Sequence, residues 1–418
     1  MRGATRVVPS PPERAMRAAT PPAGPPASPH KGRPSRRANI LTKASIPELA
    51  PFEEAPRAFR SGVPAVDIFP IDIWGRIMAK RWRRVPPGAL SYGRPFGFQP
   101  LRQAVADYLN AARGVRCTAE QVLIVNGSQQ GLDLAARVVL DPGDQAWLES
   151  PGYPGASKAF IAAGAALVQV PVDDQGLIVS EGRRLAPNAH AAFVTPSRQL
   201  PLGMTMPAAR RQELLAWARA AGAWIVEDDY DSEFRYVDRP LAALQGLDPN
   251  GCVIYCGTFS KVTFPAVRLG YLVVPDALID AFAAARIASD YTSPHLTQAV
   301  MADFITEGHF ERHIRRMRSI YRGRQEVLVT AAERQLAGLL EVKRAESGMN
   351  LIGWLPAGSN EGDVVRAAKE RSVDVLPLSR FGGSLPRAGL LLGYAGVRDR
   401  EIEEGVTRLA QALEQLVR

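Results

Sequence analysis

Lysine is scarce in this chain: only seven of its fifty-one basic residues are lysine, and the rest are arginine. Arginine and lysine are not interchangeable, so a lysine inside an otherwise apolar stretch is a choice that needs a reason. Cysteine is scarcer still. Cys117, Cys252 and Cys256 are the only three, too few and too scattered for a disulfide framework. That excludes a small disulfide-held secreted domain and indicates a reducing, cytoplasmic setting. Cys252 and Cys256 lack the two-residue spacing and the second ligand pair of a zinc site. They read as small apolar residues of one buried strand. Long apolar runs are missing too, and none approaches the roughly 20 residues that a membrane span requires.

Acidic residues are nearly absent from the start of the chain. Residues 1–40 contain one, Glu13, against eight Lys/Arg, so this arm carries +7 of the net +9. The body is close to neutral, and a nucleic-acid footprint, if present, lies in the arm. The arm also holds nine prolines and few large apolar residues. It cannot bury enough surface to offset its ordering entropy, so residues 1–45 are expected to be disordered. The run Pro-Pro-Ala-Gly-Pro-Pro breaks the amphipathic helix that an organelle transit peptide needs.

At 418 residues, 46% hydrophobic and 22% charged, the chain has the composition of a soluble globular protein of two or more domains. Short apolar runs recur at Val122–Val125, Ala146–Leu148, Ala165–Val170, Ala191–Val194, Ala223–Val226, Val253–Cys256 and Leu269–Val274. Helical patterns such as Gln129–Leu140 and Ala208–Ala221 separate several of them. Apolar strands alternating with helices predict an α/β fold with a mostly parallel sheet covered on both faces. After residue 291 the pattern becomes a long basic helix from His309 to about Leu336, short strands near Met349–Leu355 and Leu390–Tyr394, and a final amphipathic helix. The division expected is residues 91–290 as a large domain and 291–418 as a smaller α+β domain. Residues 46–90 form an N-terminal segment packing on the small domain.

One lysine stands out. Lys261, in Gly257-Thr258-Phe259-Ser260-Lys261, directly follows the apolar run Val253–Cys256. Burial disfavours an ammonium and lowers its pKa, which suits a Schiff-base amine. A helix-start lysine that snorkels to solvent is the plain alternative. Ahead of it, the apolar strand Ala223–Glu227 runs into Asp228-Asp229-Tyr230-Asp231, at the strand end where α/β sheets hold ligands. Carboxylates alone favour Mg²⁺ or Ca²⁺; the other reading is a carboxylate that pairs with a ring nitrogen of a cofactor. Val122–Val125 leads through Asn126-Gly127 into Ser128-Gln129, a strand-to-helix turn able to hold a phosphate, although a plain N-cap by Asn126 or Ser128 also fits. Arg268 opens the next strand on the same side of the sheet and is placed to clamp the same phosphate.

Together these are the equipment for pyridoxal 5′-phosphate (PLP), and the chain resembles fold-type I aminotransferases, in particular the aminotransferase-like domain of the MocR/GabR regulators. The matching stretches include Tyr92-Gly93, Gly127-Ser128-Gln129-Gln130, Pro151-Gly152-Tyr153-Pro154-Gly155, Glu227–Phe234, Gly257–Lys261, Arg268-Leu269-Gly270-Tyr271 and Gly308–Met317. They run in family order across about residues 57–418. The resemblance implies that Lys261 forms the Schiff base and shuttles the substrate proton. It implies that Asp228 keeps the ring nitrogen protonated, Tyr230 hydrogen-bonds the ring oxygen and Tyr153 stacks on the ring. Backbone groups of Ser128 and Gln129, with Thr258, Ser260 and Arg268, would hold the phosphate. Tyr92 would reach the neighbouring subunit of a homodimer. The implied partners are an amino acid or related amine and a 2-oxo acid, with neither metal nor membrane.

Some features depart from the family. MocR-type proteins carry an N-terminal winged helix-turn-helix, and residues 1–40 show no helical periodicity, so DNA binding is not expected. Where the regulators have His and aminotransferases end in Asn-Pro, this chain reads Thr195-Pro196-Ser197-Arg198-Gln199-Leu200-Pro201. Leu200 cannot bond the ring oxygen as that asparagine does. The usual carboxylate-gripping arginine is replaced by Leu390-Leu391-Leu392-Gly393-Tyr394, which leaves Arg380 and Arg387 as candidates. The expected function is therefore an aminotransferase-like protein, with an effector-sensing module of a MocR-type regulator as the alternative.

Overall fold

The computed structural model describes residues 33–43, 57–237 and 242–417. The chain begins with helices α1 (Arg36–Lys43), α2 (Ile71–Arg83) and α3 (Gln99–Arg113). Strand β1 (Val122–Val125), α4 (Ser128–Val139), β2 (Gln145–Ser150), α5 (Pro154–Ala163), β3 (Ala166–Asp173), β4 (Gly176–Leu177), α6 (Val179–Leu185) and β5 (Ala191–Val194) follow. The large sheet is completed by β6 (Trp224–Asp229), β7 (Val253–Thr258) and β8 (Gly270–Val273), with α7 (Ala208–Ala221) before β6. Next come α8 (Ile279–Ser289), α9 (His295–Thr306) and α10 (His309–Gln335). The C-terminal part holds β9 (Glu341–Val342), β10 (Asn350–Trp354), α11 (Glu361–Glu370), β11 (Leu376–Pro377), β12 (Gly389–Gly393) and α12 (Asp399–Val417).

The large sheet has the strand order β1-β8-β7-β6-β5-β2-β3-β4. Strands β3, β2, β5, β6 and β7 pair in parallel, and their inner members are buried on both faces. That burial is why they read as unbroken apolar runs rather than alternating ones. Strand β8 is antiparallel to both β7 and β1. It therefore enters the sheet at the end where β7 and β1 leave it: Gly270 pairs with Thr258 on one side and with Val125 on the other. This single reversal brings three separate motifs to one edge. A second, antiparallel sheet has the order β11-β12-β10-β9. Residues 58 and 59 bridge to Val373 and Gly393 beside it.

One sequence expectation is corrected here. Within the arm, residues 36–43 are helical: the Ser35 hydroxyl accepts from Ala38 N at 3.1 Å, and the Arg37 guanidinium donates to Ala162 O at 2.8 Å. A serine cap and a guanidinium docked on α5 stabilise a helix that composition alone disfavours. The rest of the disordered-arm expectation, residues 1–32 and 44–45, lies outside the described residues. Cys256 lies buried in β7, whereas Cys252 precedes the strand and is half-buried.

Candidate active site

Lys261 lies in the tight turn after β7, between buried Phe259 and Val262 in the chain. The Val262 carbonyl is bonded to a ring nitrogen of His313 on α10 at 2.9 Å. The lysine does not snorkel. Its Nζ donates to Gly62 O at 2.8 Å. Burial lowers its pKa, while the carboxylates of Asp231 and Asp228 act in the opposite direction. The amine thus faces inward, toward acids, in a desolvated setting.

Asp228 and Asp229 are adjacent on β6 but live differently, because successive strand residues point to opposite faces. Asp229 is paired with Arg113 (2.7 Å) and accepts from the Tyr255 hydroxyl (2.7 Å). Burial opposes its ionisation most, but Arg113 together with hydrogen bonds from Ser232 and Tyr255 outweighs it, and its pKa is lowered. Asp228 is equally buried, yet its Oδ1 has no hydrogen-bond partner. The Oδ1 atoms of Asp229 and Asp231 also lack partners, but their other oxygens are held by Arg113 and Arg198. Burial first, then the charge of Asp229, raises the Asp228 carboxyl to about 7, with Lys261 pulling it down. An orphaned buried carboxylate is costly, and a ligand N–H placed at Oδ1 relieves that cost.

Tyr230 and Tyr153 are both within electrostatic reach of this acid. Tyr153, half-buried, donates to Gln129 Oε1 at 3.3 Å, and Gln129 Nε2 donates to Gly155 O at 2.8 Å. Burial and then Asp228 push the Tyr153 hydroxyl up to about 12. The Tyr230 hydroxyl accepts from Arg198 Nη1 at 3.2 Å. Burial and Asp231 raise its pKa, and Arg198 opposes them.

The other end of the group is made of backbone. The residue capping α4 is Gly127, at φ 87°, with no side-chain cap, so neither Asn126 nor Ser128 caps this helix. A left-handed residue lets the chain turn sharply into the helix and leaves its first N–H groups open. A side chain there would meet the Arg268 guanidinium: a Cβ on Gly127 would stand 3.6 Å from Arg268 Nη1. Arg268 is exposed, at φ 48°, and among the described residues it has no carboxylate partner. Thr258 is buried, and its hydroxyl accepts from Ser260 N at 3.2 Å. Open helix-start N–H groups beside a guanidinium without a carboxylate partner suit a phosphate. PLP would fit these residues at both ends, its ring nitrogen toward Asp228, its aldehyde toward Lys261 and its phosphate toward Gly127–Ser128 and Arg268.

The structure does not gather every candidate. Tyr92 is 86% exposed against Tyr291 on the surface and touches none of this group in its own chain. Arg380 is close by: Phe381 O, in the same turn, accepts from Gly152 N at 2.9 Å beside Tyr153. Arg387 is elsewhere. It pairs with Glu341 and lies over Trp354 at 5.4 Å. That is the Trp354–Gly389 end of the β10–β12 pair, opposite the Asn350 end that adjoins Arg198. An ion pair and an aromatic face satisfy Arg387 away from the site.

Several supporting residues carry no sequence signal of their own. Glu149, at the end of β2, accepts from Thr195 N (3.1 Å) and from its hydroxyl (2.5 Å), tying down the 195–201 loop. Gln199 of that loop donates to Pro151 O at 2.7 Å, linking it to the Tyr153 loop. Gly62 holds the lysine, and Arg113 holds Asp229. Each is an ordinary residue type whose partner is more than forty positions away. Among the described residues no His, Cys, Asp and Glu cluster is arranged to hold a metal ion, and no helix is long and apolar enough to cross a membrane.

Comparisons with known proteins agree with this geometry. The family model for aminotransferase class I and II matches residues 78–409. The chain is 42% identical to the probable rhizopine catabolism regulatory protein MocR of Rhizobium meliloti, covering 85% of this chain and 72% of that protein. It is 32% identical to the 2-aminoadipate transaminase of Thermus thermophilus, covering 91% of this chain and 96% of the enzyme. Among solved structures, the α-aminoadipate aminotransferase LysN of T. thermophilus, complexed with N-(5′-phosphopyridoxyl)-L-leucine, superimposes with a TM-score of 0.79 at 29% identity, over 92% of this chain and 95% of that one. With a fold-type I sheet, a site shaped for PLP and this match across most of its length, the chain belongs to the class I and II aminotransferase family, whose cofactor is pyridoxal phosphate.

Proposed function

We propose that the protein is a homodimeric PLP-dependent aminotransferase that takes the amino group of an amino acid or related amine and passes it to a 2-oxo acid. The observation that supports it most is Asp228: a buried carboxyl without a partner at Oδ1, raised to about 7, within electrostatic reach of an inward-facing lysine of lowered pKa. PLP supplies an aldehyde carbon for an amine and a ring that accepts the electron pair left at the substrate carbon. Every other part of the work falls to the chain. Lys261 Nζ would be the amine that holds the cofactor at its aldehyde carbon; freed when the substrate amine takes that place, it would carry the proton from the substrate α carbon to that cofactor carbon. Asp228 holds a proton at the ring nitrogen, which favours electron acceptance. Tyr230 donates from its hydroxyl to the ring oxygen, and Tyr153 covers the ring face. The α4 start at Ser128 and Gln129, with Thr258, Ser260 and Arg268, binds the phosphate. In this reading Arg380 grips the substrate carboxylate, and Tyr92, whose exposure in one chain supports it, serves a partner's site.

A second reading is supported by the 42% identity to a MocR regulator and by Leu200, which offers no donor where aminotransferases have asparagine. In it the same site binds PLP and an amine to sense the amine, without turnover. One experiment separates the two. The PLP-loaded protein is mixed with a panel of amino acids and amines, with and without 2-oxo acids, and its visible spectrum and keto-acid products are followed. Conversion to the amine form of the cofactor with keto-acid release supports the enzyme, and a spectral change without product supports the sensor. Lys261→Ala should abolish cofactor retained after borohydride reduction, seen by mass spectrometry. A wild-type protein that takes up no PLP would refute both readings.

A further inference from the structure

Arg198 stands where the resembling regulators commonly have histidine, two residues before Leu200, and it is 4% exposed. A buried guanidinium is retained only if its donors are satisfied, and here they are. Nε donates to Ser347 O at 3.2 Å and Nη2 to Asn350 O at 2.8 Å. Nη1 reaches the Tyr230 hydroxyl at 3.2 Å and Asp231 Oδ2 at 3.3 Å. The space for it is made by Gly348, at φ 95°, where a Cβ would stand 2.2 Å from the guanidinium carbon. With its fork engaged by four protein acceptors, Arg198 is not available to grip a substrate carboxylate.

Its effect falls on Tyr230. A guanidinium has donors and no acceptor. When Nη1 takes a lone pair of the Tyr230 oxygen, that hydroxyl's own hydrogen must point elsewhere. It also becomes a stronger donor, because a neighbouring cation favours loss of its proton. The charged groups bearing on Tyr230 are Asp231, Asp228 and Arg198, and Lys261 faces the same two acids. Asp231 is buried against Arg198 and partly neutralises it. Arg198 also joins two parts of the chain, because it sits in the loop after β5 and bonds to the backbone at the start of β10.

We propose that Arg198 is a positioning residue that turns the Tyr230 hydroxyl into an obligate, strengthened donor toward the ring oxygen of bound PLP, in the role that Leu200 has vacated. The inference rests on the PLP-site reading above. A stronger donor to that oxygen lowers the pH at which the visible absorption of the lysine-bound cofactor changes form.

The test is a pH titration of the visible spectrum of the PLP-loaded protein. Arg198→Gln should move the midpoint up by on the order of one pH unit, and Arg198→Lys, which keeps the charge, by less. Tyr230→Phe should move it up as well. Adding Arg198→Gln to Tyr230→Phe should then produce no further shift, because Arg198 acts through that hydroxyl. If Arg198→Gln shifts the midpoint equally in both backgrounds, or in neither, the proposal is overturned while the PLP reading stands. Should the Arg198 variants fail to fold, Asp231→Asn serves. It leaves the cation unneutralised and should lower the midpoint in the wild-type background only; an unchanged midpoint, or the same drop in Tyr230→Phe, overturns the proposal. Failure of the wild type to take up PLP would instead refute the underlying reading.

Discussion

The two ends of the site are built from different materials. At the ring end, Asp229, Asp231, Arg113 and Arg198 are buried charges paired with one another or bonded to tyrosines, and Asp228 is buried among them with no partner at Oδ1. At the phosphate end there is an uncapped helix start, a glycine at φ 87° and one exposed arginine. Buried charges interact strongly and cannot be altered singly without leaving a partner stranded. Backbone N–H groups and an exposed guanidinium are nearly independent of the rest of the fold. The ring end should therefore set chemistry and stability together, and the phosphate end should set affinity alone.

The largest effect expected from this contrast is at Asp228. Asp228→Asn should lower amino-transfer turnover by about 10³-fold, within the range for a proton-holding group, measured by stopped-flow of the amino-acid half-reaction. The same change should stabilise the cofactor-free protein at alkaline pH. The folded state raises this carboxyl from an ordinary 3.8 to about 7, so it binds the proton more tightly than the unfolded chain does. Wild-type stability therefore falls as pH rises between those values and levels off above them. The asparagine removes that slope. Urea unfolding should show a gain above about pH 7 and none below about pH 4, and a gain independent of pH would break the comparison.

Gly348→Ala should come next, since its methyl occupies the space of the Arg198 guanidinium. A loss of about 2–3 kcal/mol is expected from overpacking and an unfavourable φ, read by urea denaturation. It should be accompanied by the upward spectral shift of Arg198→Gln. Arg268→Gln tests the phosphate end. Cofactor affinity should weaken by about tenfold to a hundredfold, the worth of a charged hydrogen bond, in equilibrium dialysis. Stability of the cofactor-free protein should stay within about 0.5 kcal/mol. A large stability loss there would show that the two ends are not separable. The smallest effect is at Arg387, where alanine removes an exposed ion pair and a cation–π contact. It should cost under about 1 kcal/mol and leave KM for the amino donor unchanged, whereas Arg380→Ala should raise that KM about tenfold or more.

Legibility in the sequence followed the same divide. Strands such as Val122–Val125 and Ala191–Val194 were readable to the residue because both faces are buried and their apolar runs have sharp ends. Helix α7 matched its expected bounds, Ala208–Ala221. The turn from β1 into α4 was readable because a glycine leading into a helix is a local pattern. The two-residue strands β4, β9 and β11 were not, since so short a segment has no periodicity. The helix at residues 36–43 was missed because its support comes from a serine cap and from α5, more than a hundred positions away.

Composition and local pattern by themselves determined a covered, mostly parallel sheet, a lysine directly after one of its strands, and a glycine-led helix start after another. These depend on burial and backbone geometry within a few residues. The fold alone decided that Asp228 stands without a partner while Asp229 is neutralised, that Arg387 is spent on Glu341 and Trp354, and that Arg198 leans on Tyr230. Those outcomes are sums of desolvation and charge over groups distant in the chain. The antiparallel entry of β8 is what brings such groups to one edge.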